Sequence, residues 1–385
     1  MVLLGERGHV PVARLAHVRV LVQPTLVVLV VRGLGLLATW VMCLAVGRPV
    51  DFRAWDAFWY LGIAEHGYTG FDPALTYDAQ GNYFPEAPMA FFPGYPLVVR
   101  LFGVLLGGHL LPAAIGVSVV ASVVAGYGVA RLARHAGAGR RGQVVAVTLT
   151  AGAPGSVVYA MAYPEALLVA LAAWTLVAVL ERRWVPAGLG AAAAGMVSPM
   201  AAGLMPVVLV TALPEIYRSR SPWRATVAVL GAIGGTTGYL VWVSMVATTP
   251  GGFFGIERKG WHTSFDFGAT TASWVGQVVL HGGDVFVVAT AAAVLASVPA
   301  LLWLARFLPG PLWLYTVGTL AMALGSGGLE QDRLRLLLSA FPLLIALATR
   351  IAHTSGPATI AITGILVTCG LWLGAYSLSG WRYAI

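Results

Sequence analysis

The side chains best suited to chemistry are concentrated between residues 51 and 96. Asp56, Trp59, Tyr60 and Ile63 have the i, i+3, i+4, i+7 spacing of one helix face. A carboxylate held on such a face at a membrane surface can act as a general base that takes a proton from a hydroxyl. The same spacing is also typical of an amphipathic interfacial helix with Asp56 as its N-cap. Spacing alone leaves both interpretations open.

A second group of polar and aromatic side chains lies between residues 249 and 283. It includes Glu257, Trp261 and His262. These residues form either a solvated surface, or a lid or substrate contact beside the first group. The histidines have no ligand-like spacing, so no metal site is predicted. The sequence identifies no cofactor, and it leaves a divalent cation open. It contains no Walker loop and no dinucleotide-binding glycine motif.

Membrane-spanning helices must position these residues. Hydrophobic residues make up 58% of the 385-residue chain and charged residues only 10%, against about 25% charged residues in ordinary soluble domains. Repeated apolar runs of membrane length can be satisfied only by spanning helices, because lipid offers the backbone no hydrogen-bond partners. We therefore predict an all-α polytopic membrane protein, with residues 1–385 as a single domain. Both cysteines, Cys43 and Cys369, lie in apolar runs and indicate no disulfide.

The apolar runs predict roughly eleven transmembrane helices. Two of them are expected at about 142–160 and 164–180, between basic turns. The apolar run 185–213 is interrupted at Ser198-Pro199, which predicts two short helices that meet there.

The distribution of Lys and Arg predicts the orientation. With residues 1–19 in the cytoplasm, 14 of the 23 basic residues lie inside, eight lie outside and Arg32 lies within a span. Twelve of the 15 carboxylates then lie outside. The first external loop is residues 51–109, with interfacial helices, and the second is 249–283. We expect a plasma-membrane location. The net charge of +8 is explained by this bias, so no nucleic-acid partner is predicted.

Two linked motifs resemble those of the PIG-V-like mannosyltransferases. These are relatives of the enzyme that adds the second mannose to glycosylphosphatidylinositol, and they belong to the GT-C class of membrane glycosyltransferases. The matching residues are Trp55, Asp56, Trp59, Tyr60, Leu61, Ile63, Ala64, Gly67 and Tyr68, followed by Phe91, Phe92, Pro93, Tyr95, Pro96 and Leu97.

Weaker similarity covers most of the remaining chain. Tyr163-Pro164-Glu165 is similar to the family's Tyr-Ser-Glu at a helix start, and the stretch 335–342 is similar to its late Arg-x-x-x-P-x-F-P motif. The segment 196–199 departs from the family, because many members carry an Arg there.

The resemblance implies a GT-C fold whose first external loop carries the catalytic Asp56. It implies a polyprenyl-phosphate sugar as donor, mannose in the family, and inversion at the anomeric carbon. The acceptor is left open among lipids, glycans and protein hydroxyls, and membrane lipids are expected partners. The candidate substrate contacts are Trp55, Trp59, Tyr60, Glu86, Tyr163, Glu165, Glu257, Trp261 and His262. Glu165 also suits the positive end of a helix dipole without any role in a site.

The leaving phosphate needs a cation, and Arg335 and Arg333 are the first candidates because guanidinium forks match phosphate geometry. They could instead pair with Glu330 and Asp332. Arg32 is a third candidate, since charges within a membrane span are often functional. It could also pair with a carboxylate of a neighbouring helix.

A secondary transporter or lipid flippase is the alternative function. Transporters often contain internal repeats and helices broken near the membrane midplane. The break at Ser198-Pro199 fits that class, but no repeat is evident in the sequence. The acidic and aromatic first loop favours the enzyme.

Overall fold

A computed structural model describes residues 12–72, 76–328, 330–381 and 383, without the side chains of 12–22 and 305. Residues 1–11 of the predicted cytoplasmic N-terminus lie outside this range. The described chain is mainly helical. Its α-helices are α1 Val12–Ala45, α2 Ala57–His66, α3 Gly94–Leu105, α4 Leu110–His135, α5 Arg140–Ala151, α6 Glu165–Leu180, α7 Trp184–Val197, α8 Leu204–Arg218, α9 Pro222–Val246, α10 Gly252–Trp261, α11 Ala269–His281, α12 Val285–Leu304, α13 Gly310–Gly325, α14 Arg333–Leu337, α15 Pro342–Ile351 and α16 Gly356–Ser379.

Six helices of the described chain are long and apolar enough to cross a membrane. They are Gln23–Ala45, Leu110–His135, Pro199–Arg218, Pro222–Val246, Val285–Leu304 and Gly356–Ser379. A seventh span results if Glu330–Ala340 and Pro342–Ile351, which are bent by 65°, are counted together. The chain is therefore a multi-pass membrane protein, and its predicted all-α class is confirmed.

The prediction of roughly eleven spans is not confirmed. Helix α5 has 12 residues and α6 has 16, lengths of about 18 and 24 Å at 1.5 Å per residue, whereas a bilayer core is about 30 Å thick. The expected span 142–160 ends early because the chain leaves the helix at Gly152. The predicted break at Ser198-Pro199 is confirmed, since α7 ends at Val197 and a 3₁₀ turn follows.

Small residues bring α7 and α9 into close contact. A Cβ atom added at Gly188 or Gly195 would collide with the backbone of α9, and one added at Gly231 or Gly235 would collide with the backbone of α7. Small residues at such positions are typical of helix pairs in membranes, where close backbone approach gives most of the packing energy.

The irregular segment 152–164 connects α5 to α6 and contacts the short helix α14. Gly155 has a φ of +81°, and a Cβ atom there would lie 3.1 Å from the Leu334 carbonyl and 3.3 Å from the Arg335 backbone nitrogen. Only glycine combines that φ with so close an approach at little cost. This contact fixes the position of Arg335 relative to the segment that leads to Glu165.

The loops 51–109 and 249–283 pack against each other. The Ala79 backbone N–H donates to the Lys259 carbonyl at 3.3 Å, and the Lys259 ammonium lies 4.4 Å from the centre of the Phe84 ring. Strand β1 (Ser264–Phe265) in the second loop pairs antiparallel with β2 (Ser326–Gly327), which precedes α14. The two loops and α14 therefore form one structure at one end of the helices.

Candidate active site

Asp56 occupies the N-cap position of α2 but does not cap it. Its φ and ψ are −63° and −20°, and its carboxylate makes no hydrogen bond to the first turn. A capping Asp normally has extended backbone angles and accepts a hydrogen bond from the first turn. The capping interpretation of Asp56 is therefore not supported by this geometry.

The Asp56 carboxylate instead binds Arg335, 279 residues away in sequence, through the guanidinium Nη1. Their side chains are only 18% and 11% exposed. Arg335 Nη2 also donates to Asp332 Oδ2 at 3.0 Å, and Nε lies 3.4 Å from Glu165 Oε1. One buried guanidinium is thus shared by three carboxylates. Removing a partner of a buried ion pair is normally destabilising, because it leaves the other charge unpaired.

Sequence reasoning found Asp56, Arg335 and Glu165 but missed Asp332 as a member of this cluster. The sequence indicated Asp332 only as an alternative ion-pair partner of Arg333 and Arg335. The i, i+3 spacing to Arg335 was the available signal. In the described structure, Glu165 Oε2 and Asp332 Oδ1 are buried without a hydrogen-bond partner. Such oxygens are costly unless water or a ligand satisfies them.

Tyr163 lies beneath Asp56 and Arg335. Its hydroxyl accepts a hydrogen bond from the Asp56 backbone N–H at 3.1 Å and donates to the Ala54 carbonyl at 3.5 Å. The Arg335 guanidinium lies 5.3 Å from the centre of the Tyr163 ring, within range of a cation–π contact. Trp55, between Ala54 and Asp56, has a left-handed φ of 57°.

Aromatic rings connect α2 to both loops. Trp59 stacks on Phe91 with ring centres 5.4 Å apart, and Trp261 meets Trp59 edge-on at 5.9 Å. The ring centres of Tyr60 and Tyr163 are 6.3 Å apart. The predicted candidates Trp59, Tyr60 and Trp261 are therefore close to Asp56 and its partners.

Glu257 and His262 lie in the second loop beside this cluster. The Glu257 carboxylate accepts a hydrogen bond from the Thr263 hydroxyl. Burial and, to a lesser degree, the nearby charge of Asp56 raise the pKa of Glu257 to about 7, against the lowering effect of the Thr263 hydrogen bond. His262 lies 3.4 Å from the Gln80 amide nitrogen of the first loop.

Glu86 fixes one loop to the other. Its carboxylate accepts hydrogen bonds from the Thr248 hydroxyl at 2.7 Å, from the Thr248 backbone N–H, and from the Thr249 backbone N–H at 3.1 Å. Burial alone would raise the pKa of Glu86, but these hydrogen bonds lower it below its ordinary value. Its contacts are those of a structural residue, although it was predicted as a substrate-site candidate.

Arg333 and Arg32 are not brought to the carboxylate cluster. Arg333 donates to the Ser326 carbonyl and to the Thr271 hydroxyl at 3.3 Å. Arg32 donates to the Ser156 carbonyl, and to the Ser156 hydroxyl at 3.1 Å. It makes no ion pair in the described part of the chain.

Arg32 lies between two small cavities. The space open to the centre of a water molecule is about 20 Å³ in one and 10 Å³ in the other, room for roughly one water each. The hydrogen bonds of Arg32 to Ser156 connect α1 to the segment 152–164.

The carboxylate cluster is not arranged as a metal site. Among the described residues, no group of three or more His, Cys, Asp or Glu side chains converges as metal ligands would. The carboxylates of Asp56, Glu165 and Asp332 instead point at the Arg335 guanidinium.

Comparison with known proteins gives structural neighbours only. No protein-family model matches the sequence, and no curated protein is similar to it. ArnT from Cupriavidus metallidurans, solved bound to undecaprenyl phosphate, superposes with a TM-score of 0.52 and 17% identity over 89% of this chain and 64% of ArnT.

Two further solved structures are similar to a lesser degree. The Archaeoglobus fulgidus oligosaccharyltransferase, solved with zinc and sulfate, has a TM-score of 0.49 and 14% identity over 92% of this chain and 53% of its own. The mycobacterial arabinofuranosyltransferase AftD has a TM-score of 0.46 and 20% identity over 92% of this chain and 27% of its own.

The fold comparison rests on ArnT. ArnT is a GT-C glycosyltransferase, and the chain shares its fold, as the motif resemblance implied. It spans 64% of the length of ArnT. The closer resemblance to PIG-V-like proteins is not confirmed.

Proposed function

We propose that this chain is a membrane glycosyltransferase that moves a sugar from a polyprenyl-phosphate donor to an acceptor hydroxyl. The observation that carries the proposal is the pairing of Asp56 with Arg335. Asp56 leaves its helix uncapped, and its carboxylate instead contacts the buried Arg335 guanidinium. These two side chains supply the base and the phosphate-binding cation that the reaction needs. The shared fold with ArnT, which was solved with undecaprenyl phosphate, supports a polyprenyl-phosphate donor.

In the proposed reaction Asp56 is the general base. The acceptor oxygen attacks the anomeric carbon while the bond from that carbon to the phosphate oxygen breaks. The acceptor proton passes to Asp56, and the polyprenyl phosphate leaves with the bonding electrons. A single displacement of this kind inverts the anomeric centre. General-base assistance typically contributes about 10²–10⁴-fold to a rate.

Arg335 changes partners in this scheme. It now faces three carboxylates, so a donor phosphate must compete with Asp56 for the guanidinium. A phosphate that takes the Nη1 position frees the Asp56 carboxylate to accept a proton, and Asp332 and Glu165 keep Arg335 in place. Donor binding would thereby activate the base.

The motif resemblance supports mannose as the sugar. The polar end formed by the two loops lies on the outer face if the Lys and Arg bias sets the topology. The second loop is then the part of the chain that covers the site from the outside, with Glu257, Trp261 and His262 as the candidate acceptor contacts.

The proposal is tested by donor turnover. The purified protein in detergent receives radiolabelled polyprenyl-phosphate mannose, with membranes of the producing cells as the acceptor source. We expect release of polyprenyl phosphate with the label moved to an acceptor, and no release from heat-inactivated protein. Absence of turnover with mannose, glucose and arabinose donors alike would contradict the proposal.

A further inference from the structure

We infer that Tyr163 is a positioning residue that turns the Asp56 carboxylate away from its helix and toward Arg335. The effect of Tyr163 on sugar transfer rests on the proposed function. Its effect on the orientation of Asp56 rests on backbone geometry alone. Three observations carry the inference: the left-handed backbone at Trp55, the two hydrogen bonds of the Tyr163 hydroxyl, and the uncapped start of α2.

The backbone at Trp55 is in an unfavourable conformation. Its φ of 57° lies in the left-handed region, where a bulky side chain is uncommon. Such a conformation persists only when its surroundings hold it, and it is often found at functional sites. The Tyr163 hydroxyl forms hydrogen bonds with the backbone of Ala54 and of Asp56, the residues on either side of Trp55. These two hydrogen bonds, called the clamp below, hold the backbone of residues 54–56 in this conformation.

Without this clamp, Asp56 has an alternative conformation. With extended backbone angles, its carboxylate would accept a hydrogen bond from the first turn of α2, as N-cap residues usually do. That conformation would satisfy the helix but would move the carboxylate away from Arg335. The observed angles of Asp56 are helical instead, and its N–H is satisfied by Tyr163.

Tyr163 is unsuited to a direct contact with substrate in this structure. Its side chain is completely buried, its hydroxyl is occupied by two backbone groups, and its ring faces the Arg335 guanidinium. It therefore acts through Asp56 and Arg335. This differs from the substrate-contact role that the sequence indicated.

Tyr163→Phe tests the inference against a matched control, Tyr159→Phe. Tyr159 is four residues away and also buried, and its hydroxyl has no hydrogen-bond partner in the described structure. Tyr163→Phe should lower kcat by about tenfold, the size of one lost hydrogen bond, with the KM for donor unchanged. Tyr159→Phe should change neither.

A second readout does not depend on activity. Amide hydrogen exchange in the 54–58 segment should speed up by about tenfold in Tyr163→Phe, because the Asp56 N–H loses its acceptor, and should stay at the wild-type rate in Tyr159→Phe. Equal exchange in the two variants would overturn the inference even if the wild-type protein transfers no sugar. A wild-type protein without transfer contradicts only the proposed function.

Relief of the strain gives a rescue test. In the Tyr163→Phe background, Trp55→Gly and Trp55→Ala both remove the indole ring, but only glycine adopts a left-handed φ freely. We expect the glycine variant to recover more kcat than the alanine variant. Equal kcat values would show that the backbone at Trp55 does not control Asp56, and would overturn the inference.

Discussion

At the scale of single residues, the site depends on one arginine held by three carboxylates. The sequence indicated Asp56 and Arg335 separately, Asp56 by its spacing and motif and Arg335 by the match of a guanidinium to phosphate geometry. Their contact could not be predicted, because it depends on how the segment 152–164 packs against α14 and on Gly155, which permits that approach. The role of Asp332 was missed because a carboxylate next to two arginines looks like an ordinary ion pair in sequence.

Arg335→Lys should weaken donor use and leave the fold intact. A lysine keeps the charge but loses the planar fork that can hold Asp332 and a phosphate together. We expect the KM for donor to rise by roughly 10–100-fold, the range for a lost charge-assisted hydrogen bond.

Arg333→Lys is the matched control, because Arg333 bonds to Ser326 and Thr271 rather than to the cluster. Its KM for donor should stay at the wild-type value while its thermal stability falls. An unchanged donor KM in Arg335→Lys, or equal KM changes in the two variants, would move the phosphate site elsewhere.

Glu257 should make stability depend on pH. Its folded-state pKa of about 7 lies above the ordinary value of 4.5, so folding favours the protonated acid. The wild-type Tm should therefore fall as the pH rises from about 4.5 through 7. Glu257→Gln, which cannot ionise, should lose this part of the pH dependence and have the higher Tm at pH 8. Parallel Tm curves for the two proteins would refute this.

At the scale of elements, the sequence indicated the long membrane-spanning helices but not the short buried ones. The long apolar runs form helices of membrane length. The break at Ser198-Pro199 was predictable because proline interrupts a helix. The helices α5 and α6, which the apolar runs predicted as spans, are shorter than a membrane-spanning helix normally is. Their apolar side chains are buried against other helices, and hydropathy cannot distinguish burial in protein from burial in lipid.

Glu86→Gln should loosen α10 from the first loop. The amide can accept only through its single oxygen, while its NH₂ group would face the Thr249 N–H that now donates to the carboxylate. Trypsin cleavage at the exposed Arg258 and Lys259 should then become several-fold faster, about the effect of one lost hydrogen bond.

The control for this change is Asp51→Asn in the same loop, because among the described residues Asp51 accepts a hydrogen bond only from the nearby Arg53 N–H. It should leave the cleavage rate as in the wild type. Equal cleavage rates in wild type and Glu86→Gln would mean that Glu86 does not hold the loops together.

At the scale of the whole molecule, charge is divided between the two ends of the helices. Arg131 binds Glu181 through two hydrogen bonds of 2.6 and 2.8 Å, and Arg182 pairs with Glu215. These pairs connect three basic turns at one end. The carboxylate cluster and the two loops belong to the other end, so the charge bias of the sequence corresponds to a real division in the structure.

Cysteine labelling tests the topology that this division predicts. In a background with Cys43 and Cys369 replaced by Ser, Gln80→Cys should react with an impermeant maleimide in intact cells. Ser219→Cys, in a basic turn, should react only after lysis. Both positions are exposed, so accessibility is matched. The reverse pattern would place the proposed site in the cytoplasm.

The measurement that tests the central claim most directly is sugar transfer by Asp56→Asn. Arg335 keeps Asp332 and Glu165 as partners in this variant, so the protein should fold, insert and still bind donor. An amide cannot take the acceptor proton, so transfer should fall by at least roughly a hundredfold. Near-normal transfer by a normally folded Asp56→Asn protein would contradict the assignment of Asp56 as the base.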